Sequence, residues 1–299
     1  MNSDPTVRDV ADTAHWVALY RALESERPDA LFHDAYARSL AGTRGEQIHA
    51  TLPRPMRNAA WSVVARTVVM DRMIQAEIEA GVTLVVNLAA GLDTRPYRLP
   101  LPPTLTWVEV DQPTLLAEKR ALLESAAPNC TLERIPLDLS QEEPARELLR
   151  RLGGRGEKVL VVTEGLLMYL RPGEVAALAR TMASIPAIRS WVTDVISPGL
   201  LRLIEKDWGR TLRDASASMH FAPEEGVEWF EARGWRVAEC HSTFAAAKRL
   251  RRLPLLLRLL SFLPGSDGFH PNRPWSGICL LTPASGGATP AGAAPERAP

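Results

Sequence analysis

Four positions that carry a glycine or an acidic residue stand directly after short apolar segments of the chain. Gly91 follows the first segment, Asp111 the second, Asp138 the third and Glu164 the fourth. Open α/β sheets bind ligands beyond the carboxyl ends of their strands, so these residues meet if the segments are neighbouring parallel strands. A glycine there lets the backbone approach a ligand closely. The pattern therefore predicts a polar ligand site.

The spacing of these residues narrows the kind of ligand. Asp111 lies 20 residues beyond Gly91, which is the offset usual for a ribose-binding acid in nucleotide folds. The G-x-G-x-x-G fingerprint is absent, and no glycine-rich helix start follows to bind a pyrophosphate. The pattern favours a nucleoside cofactor without phosphates over NAD or FAD.

The elements that must position these residues follow from hydrophobic periodicity. Short apolar segments alternate with helical ones, which is typical of βαβ units with a parallel sheet. We predict strands at 84–88, 107–110, 132–135, 159–163, 191–195, 235–240 and 277–281. Helices are predicted at 114–125, 143–152, 173–184 and 224–233, and before them at 14–23, 30–40 and 57–80, with Gly81 ending the last of these. The fold class is therefore α/β with about seven strands.

The chain divides into three predicted parts. Residues 1–80 form a helical cap, 81–284 form the ligand-binding domain, and 285–299 form a disordered tail rich in Gly, Ala and Pro. Insertions at about 197–223 and 243–275 are expected to shape a substrate pocket. The apolar segment 253–263 is too short to cross a bilayer, and a core or lid helix is favoured over a membrane-surface helix.

Composition limits the partners. The chain has 35 basic and 35 acidic residues and no net charge, which does not indicate a nucleic-acid-binding protein. The three cysteines are far apart and no metal-ligand spacing occurs, so we expect free thiols, no metal and a cytoplasmic protein. We expect a small-molecule partner and no membrane partner. Oligomeric state does not follow from the sequence.

Three motifs resemble one known family. The segments 86–99 (VNLAAGLDTRPYRL), 109–113 (EVDQP) and 163–170 (TEGLLMYL) are similar to the leucine carboxyl methyltransferase family. Its bacterial members include enzymes that methylate polyketides and other small molecules. The resemblance implies a class I methyltransferase fold, a Rossmann-like, mostly parallel seven-stranded sheet, with S-adenosylmethionine as cofactor.

The resemblance also implies roles for individual residues. Gly91 approaches the methionine part of the cofactor, and Asp111 accepts hydrogen bonds from the ribose hydroxyls. Asp138 and the backbone of Leu139 hold the adenine. Glu164 lines the methionine end, where a carboxylate favours the sulfonium cation.

Arginines form a second group of candidates. The resemblance implies that Arg66 pairs with the cofactor carboxylate, and its apolar neighbours in the predicted helix make a solvated charge less expected. Arg95 and Arg98 are either ligand anchors or structural partners of Asp93 or another acid.

The reaction implied is methyl transfer to an oxygen, in which the protein supplies proximity and orientation. A carboxylate acceptor needs no general base, whereas a phenol does. His220 is the candidate base and Tyr169 a candidate contact to the acceptor. The alternatives left open are a nucleotide-dependent dehydrogenase and a catalytically inactive methyltransferase-like binding module.

Overall fold

A computed structural model describes residues 10–52, 57–155, 158–214, 218–260 and 268–284. They contain a seven-stranded sheet in the order β3-β2-β1-β4-β5-β7-β6, in which β7 runs antiparallel to both of its neighbours. The mostly parallel α/β sheet predicted from the sequence is confirmed. The strands are β1 (Leu84–Leu88), β2 (Thr106–Asp111), β3 (Thr131–Pro136), β4 (Val159–Thr163), β5 (Ile188–Ile196), β6 (Trp235–Ser242) and β7 (Ser276–Pro283).

The register brings the carboxyl ends of the central strands level with one another. Leu88, at the end of β1, lies opposite Val110 of β2 on one side and Thr163 of β4 on the other. The chain leaves β1 toward β2 and later returns to the other side of β1 through β4. Such a reversal opens a crevice at the carboxyl edge of the sheet.

Helices cover both faces of this sheet. They are α1 (Val10–Ser25), α2 (Ala37–Thr51), α3 (Ala60–Glu79), α4 (Arg95–Arg98), α5 (Pro113–Leu122), α6 (Glu142–Gly153), α7 (Pro172–Ala183), α8 (Pro198–Asp214), α9 (Thr243–Arg249) and α10 (Leu255–Leu260). Apolar residues of α3 and α9 pack on one face, and those of α6 and α7 pack on the other. The helices α1 and α2 pack together near Leu92 and Leu115, close to the carboxyl edge.

Two predicted helices differ from the structure. The helix predicted at 30–40 begins only at Ala37, because the Asp34 carboxylate accepts hydrogen bonds from the backbone N–H groups of Tyr36 and Ala37, at 3.2 and 3.0 Å. The segment predicted as a helix at 224–233 is a 3₁₀ helix from Gly226 to Arg233. The left-handed Gly234, with φ of 88°, ends it.

The predicted domain divisions stay predictions. The first inserted segment contains α8, and the second contains α9 and α10. The helix α3, which was assigned to the cap, shares a hydrophobic cluster with Val85 and Leu160 of the sheet. The predicted tail, 285–299, lies outside the described residues. In the part of the chain that the structure describes, no helix combines the length and apolarity needed to cross a membrane.

Candidate cofactor and active site

A cavity of about 970 Å³ opens at the carboxyl edge of the sheet. Small-molecule sites usually measure about 300–1,000 Å³, so this cavity has room for a cofactor and a second ligand. Its wall includes all but one of the residues that sequence analysis assigned to a site: Arg66, Gly91, Asp111, Asp138, Leu139, Glu164 and Tyr169. The structure does not bring the remaining residue, His220, into this wall.

Gly91 and Asp111, which sequence analysis assigned to one ligand site, form a hydrogen-bonded pair. The Gly91 N–H donates to Asp111 Oδ2 at 2.6 Å, and the Gln112 N–H donates to Oδ1 at 2.7 Å. Gly91 has φ of 50°, a conformation that glycine adopts without steric cost. Burial raises the pKa of Asp111. Each carboxylate oxygen keeps a second lone pair, which can accept a hydrogen bond from a ligand hydroxyl.

Glu164, directly after β4, lies between two arginines. Arg66 Nε donates to Glu164 Oε1 at 2.9 Å, and Arg95 Nη1 donates to Oε2 at 2.7 Å. Burial alone would raise the pKa of Glu164, but the charges of Arg95 and Arg66 lower it to about 2. Glu164 is therefore an anion at neutral pH.

The arginines have further acidic partners. Arg66 Nη1 also donates to Asp194 Oδ2 at 3.0 Å, and Arg95 is bonded to Asp71 at 2.7 Å and to Asp93 at 3.0 Å. Despite burial, which opposes ionisation, Arg95 holds the pKa of Asp93 below its ordinary value. The second reading of Arg95, that of a structural ion-pair partner, matches these contacts.

The charges of this cluster suit a cationic ligand. With Arg98, which is bonded to Asp71, the cluster has three arginines and the four carboxylates Asp71, Asp93, Glu164 and Asp194. Carboxylates thus outnumber guanidinium groups by one. Beside them, Asn87 Oδ1 is buried on the cavity wall without a hydrogen-bond partner in the described residues. A ligand with a positive charge and an N–H donor fits this end of the cavity.

Asp138 and Leu139 lie two and three residues after β3 and reach the same cavity. Asp138 Oδ1 accepts a hydrogen bond from the Ser140 backbone N–H at 3.0 Å. Leu139 packs against the hydrophobic cluster on the α6 and α7 face. This end therefore combines a carboxylate with an apolar surface, which suits a flat heterocycle that carries a donor group.

The two proposed catalytic residues are placed differently. Tyr169 lines the cavity and packs against Ile48 and Leu52, and burial raises its pKa although a hydrogen bond with Thr13 opposes the shift. His220 is exposed, and its backbone N–H donates to Met168 O at 2.7 Å. His220 is not among the residues of the cavity wall, and its role as a base stays a prediction.

Two of the polar wall residues that sequence analysis missed are buried within strands. Asp194 is 6% exposed within β5, and its Oδ1 accepts a hydrogen bond from the Gly165 N–H at 2.7 Å. Asn87 is 2% exposed within β1, and its side-chain amide donates to Asp93. A polar residue inside a predicted buried strand is itself a signal, since buried polar groups need partners.

The sheet order and the position of the cavity define the class of fold, that of the class I S-adenosylmethionine-dependent methyltransferases. Two crystal structures share it. A DUF574 family protein of Streptomyces avermitilis aligns with a TM-score of 0.57 and 13% identity, over 91% of this chain and 97% of that one. A protein of Thermobifida fusca, which is named as an inferred methyltransferase, aligns with a TM-score of 0.54 and 16% identity, over 94% of this chain and 96% of that one.

Sequence comparison identifies the family. The leucine carboxyl methyltransferase model matches residues 14–183. A relative from Parafrankia sp. is 32% identical over 82% of this chain and 83% of its own length, and one from Streptomyces coelicolor is 32% identical over 77% and 84%. The names of both propose S-adenosyl-L-methionine-dependent methyltransferases. The chain belongs to the leucine carboxyl methyltransferase family, and it is a methyltransferase that uses S-adenosylmethionine.

Proposed function

We propose that this methyltransferase transfers its methyl group to a carboxylate oxygen of a small organic acid, such as a polyketide-type acid. One observation carries the proposal. Among the described residues, the wall of the cavity contains no histidine, lysine or cysteine. None of these common general bases lines the cavity to take a proton from an acceptor, which favours an acceptor that is already ionised.

The reaction balances without a proton transfer. When bound, S-adenosylmethionine would supply a methyl group on a sulfonium. A lone pair of the carboxylate oxygen would form the new bond to the methyl carbon, and the electrons of the broken carbon–sulfur bond would stay on sulfur. The products are a methyl ester and S-adenosylhomocysteine. The protein's contribution is to hold the reacting atoms in line and to exclude water.

The cofactor roles that we propose follow the chemistry of each residue. The remaining lone pairs of the Asp111 carboxylate accept hydrogen bonds from the ribose hydroxyls. Gly91 provides a backbone surface without a side chain. Asp138 and Leu139 hold the adenine. Glu164 provides negative charge near the sulfonium.

Arg66 has donors left for a carboxylate. Its contacts to Glu164 and Asp194 use two of the five N–H groups of a guanidinium. Gly165 lies beside it, where an added Cβ atom would stand 3.5 Å from Arg66 Nη1. We propose that the remaining N–H groups bind the carboxylate of the cofactor, and that Tyr169 contacts the acceptor.

The test is the chemistry of the methylated product. The enzyme is incubated with S-adenosylmethionine labelled in its methyl group and with a set of small carboxylic acids and phenols. A methyl ester releases labelled methanol on mild base treatment, whereas a methyl ether of a phenol does not. We expect base-labile label with acids only. Base-stable label would assign the enzyme to the phenol class.

Calorimetry separates a wrong acceptor from the inactive binding module. Binding of S-adenosylhomocysteine without methyl transfer to any acid or phenol would favour the module. Binding of NAD in place of S-adenosylhomocysteine would favour the dehydrogenase alternative. We expect S-adenosylhomocysteine to bind and NAD not to bind.

A further inference from the structure

The short helix α10 exposes apolar side chains beside the cavity. Leu255 is 74% exposed, Leu256 68% and Leu259 61%. These three are the most exposed large apolar side chains in the described part of the chain, where only Leu23, Leu122 and Leu203 join them. Scattered single leucines on a surface are ordinary, but three within five residues form a patch that indicates an interaction site.

The patch is continuous with the wall of the cavity. Leu256 and the half-exposed Leu203 of α8 both line the cavity. On α10, Leu255, Arg258 and Leu259 are three and four residues apart and so share one helix face. An apolar surface that faces outward therefore joins the cavity at its mouth.

The chain around the patch is strongly basic. Residues 243–260 contain Lys248, Arg249, Arg251, Arg252 and Arg258 and no acidic residue, in a protein whose net charge is zero. Arg252 is bonded to Glu24 at 2.8 Å and to Asp29 at 3.1 Å. Arg249, Arg251 and Arg258 are exposed. A long arginine side chain can lie along an apolar surface and keep its charge in a polar layer.

We propose that α10 docks the protein on an anionic phospholipid surface. Leu255, Leu256 and Leu259 insert at the boundary of headgroups and acyl chains, and the exposed arginines contact the lipid phosphates. Exposed leucines beside basic residues are the signature of helices that lie in the interface plane of a membrane.

Docking in this manner is peripheral and differs from crossing the bilayer, and it revises the sequence-based expectation of no membrane partner. It places the mouth of the cavity against the lipid surface, since Leu256 belongs to both the patch and the wall. A carboxylic acid with an apolar chain then reaches the cavity without passing through bulk water. This consequence rests on the proposed function, whereas the docking itself does not.

The experiment is co-sedimentation of the full chain with lipid vesicles. We expect binding to mixed vesicles of phosphatidylcholine and phosphatidylglycerol and weak binding to phosphatidylcholine alone, with a decrease as salt increases. The double substitution Leu255→Glu with Leu259→Glu should lower the partition coefficient about tenfold or more. Arg249→Gln with Arg251→Gln should lower binding to the anionic vesicles only.

The chain offers a matched control. Leu122, 43% exposed, lies on α5 rather than on α10, so Leu122→Glu should leave vesicle binding unchanged. Calorimetry with S-adenosylhomocysteine checks that each variant is folded, since none of these leucines lines the cavity.

Three results would overturn the proposal. They are no sedimentation with anionic vesicles, equal sedimentation of the wild type and the α10 leucine variant, and conversion of a dimer to a monomer by that variant. The last would assign the patch to a second copy of the chain. Vesicle binding with no methyl transfer would support the docking and contradict only the proposed function.

Discussion

At the scale of single residues, Glu164 joins two arginines that come from distant parts of the chain. Arg66 belongs to α3 and Arg95 to α4, and each donates to a different oxygen of the same carboxylate. A buried carboxylate between two guanidinium groups is ionised at neutral pH, and loss of its charge leaves both cations short of a partner. Glu164 therefore contributes to stability as well as to the site.

Because the pKa of Glu164 is lowered in the folded protein, its contribution to stability depends on pH. Its folded value of about 2 lies below the ordinary 4.5, so the stabilisation is fully present above about pH 5 and is lost as the pH falls toward 2. The shift corresponds to about 3 kcal/mol. We expect Glu164→Gln to lower the free energy of unfolding by this order at pH 7 and to flatten its decline between pH 5 and 3. Urea unfolding at several pH values measures both, and parallel curves for the two proteins would contradict the assignment.

Asp111 permits a test of the ribose assignment. The substitution Asp111→Ala removes a carboxylate whose hydrogen bonding to ligand hydroxyls is worth roughly 1.5–3 kcal/mol in all. We expect the affinity for S-adenosylhomocysteine to fall by one to two orders of magnitude in titration calorimetry. Glu133→Ala, which removes only an ion pair with Arg155 on the surface, is the control. Unchanged affinity in a folded Asp111 variant would reject the assignment.

Sequence reasoning reached the residues after the strands more readily than those within them. Gly91, Asp111 and Glu164 stand out because a glycine or an acid interrupts an apolar run at its end. Asp194 and Asn87 lie inside such runs, and only the three-dimensional register shows that they face the cavity. The protein partners of Arg66 were also missed, because Glu164 and Asp194 are 98 and 128 residues away in sequence.

At the scale of elements, Asp71 fixes helix α3 to the segment that follows Gly91. Its Oδ1 accepts hydrogen bonds from Arg95 Nε at 2.7 Å and from Arg98 Nη2 at 2.8 Å, and its Oδ2 accepts one from Arg98 Nη1 at 2.5 Å. Asp71 is buried in α3, and both arginines belong to α4. This contact positions Arg95 against Glu164.

We expect Asp71→Ala to destabilise the protein by about 3–5 kcal/mol, because it leaves two buried guanidinium groups with fewer partners. Glu26→Ala provides the contrast, since its partner Arg38 and Glu26 itself are both exposed. Exposed ion pairs contribute about 0–1 kcal/mol. Chemical denaturation of the two variants compares them directly, and equal losses would contradict the role given to Asp71.

The strands were easier to predict than helix α2, which packs near the carboxyl edge of the sheet. The segments of β1 and β4 are uniformly buried and mostly apolar, and hydrophobic pattern alone locates them. The start of α2 depends on Asp34, whose carboxylate is bonded to Arg21, Thr94 and two backbone N–H groups. No local sequence pattern reveals that Asp34 accepts a hydrogen bond from Thr94, which lies 60 positions away.

At the scale of the whole molecule, the neutral net charge conceals a division between two regions. Acidic residues line the cofactor end of the cavity, and basic residues lie close in sequence to α10 at its mouth. Composition gave no indication of this division, because the opposite charges of the two regions cancel in the net charge. A cationic cofactor and an anionic surface are the partners that the division suits.

The final prediction concerns the dependence of catalysis on pH. Glu164 and Asp93 stay ionised in the cavity wall because their pKa values are lowered, and burial raises the pKa of Tyr20 to about 12 and increases that of Tyr169. The two carboxylates therefore stay ionised and the two tyrosines stay neutral between pH 6 and 9. A carboxylate acceptor with a pKa of about 4 also stays ionised. We expect the rate of methyl transfer in a single turnover to be nearly constant over this range. His220→Ala should leave both the rate and its profile unchanged, since the imidazole lies outside the wall of the cavity. A rise near pH 6–7 that this substitution abolishes would show that a histidine base acts after all, and it would move the acceptor from a carboxylate to a phenol.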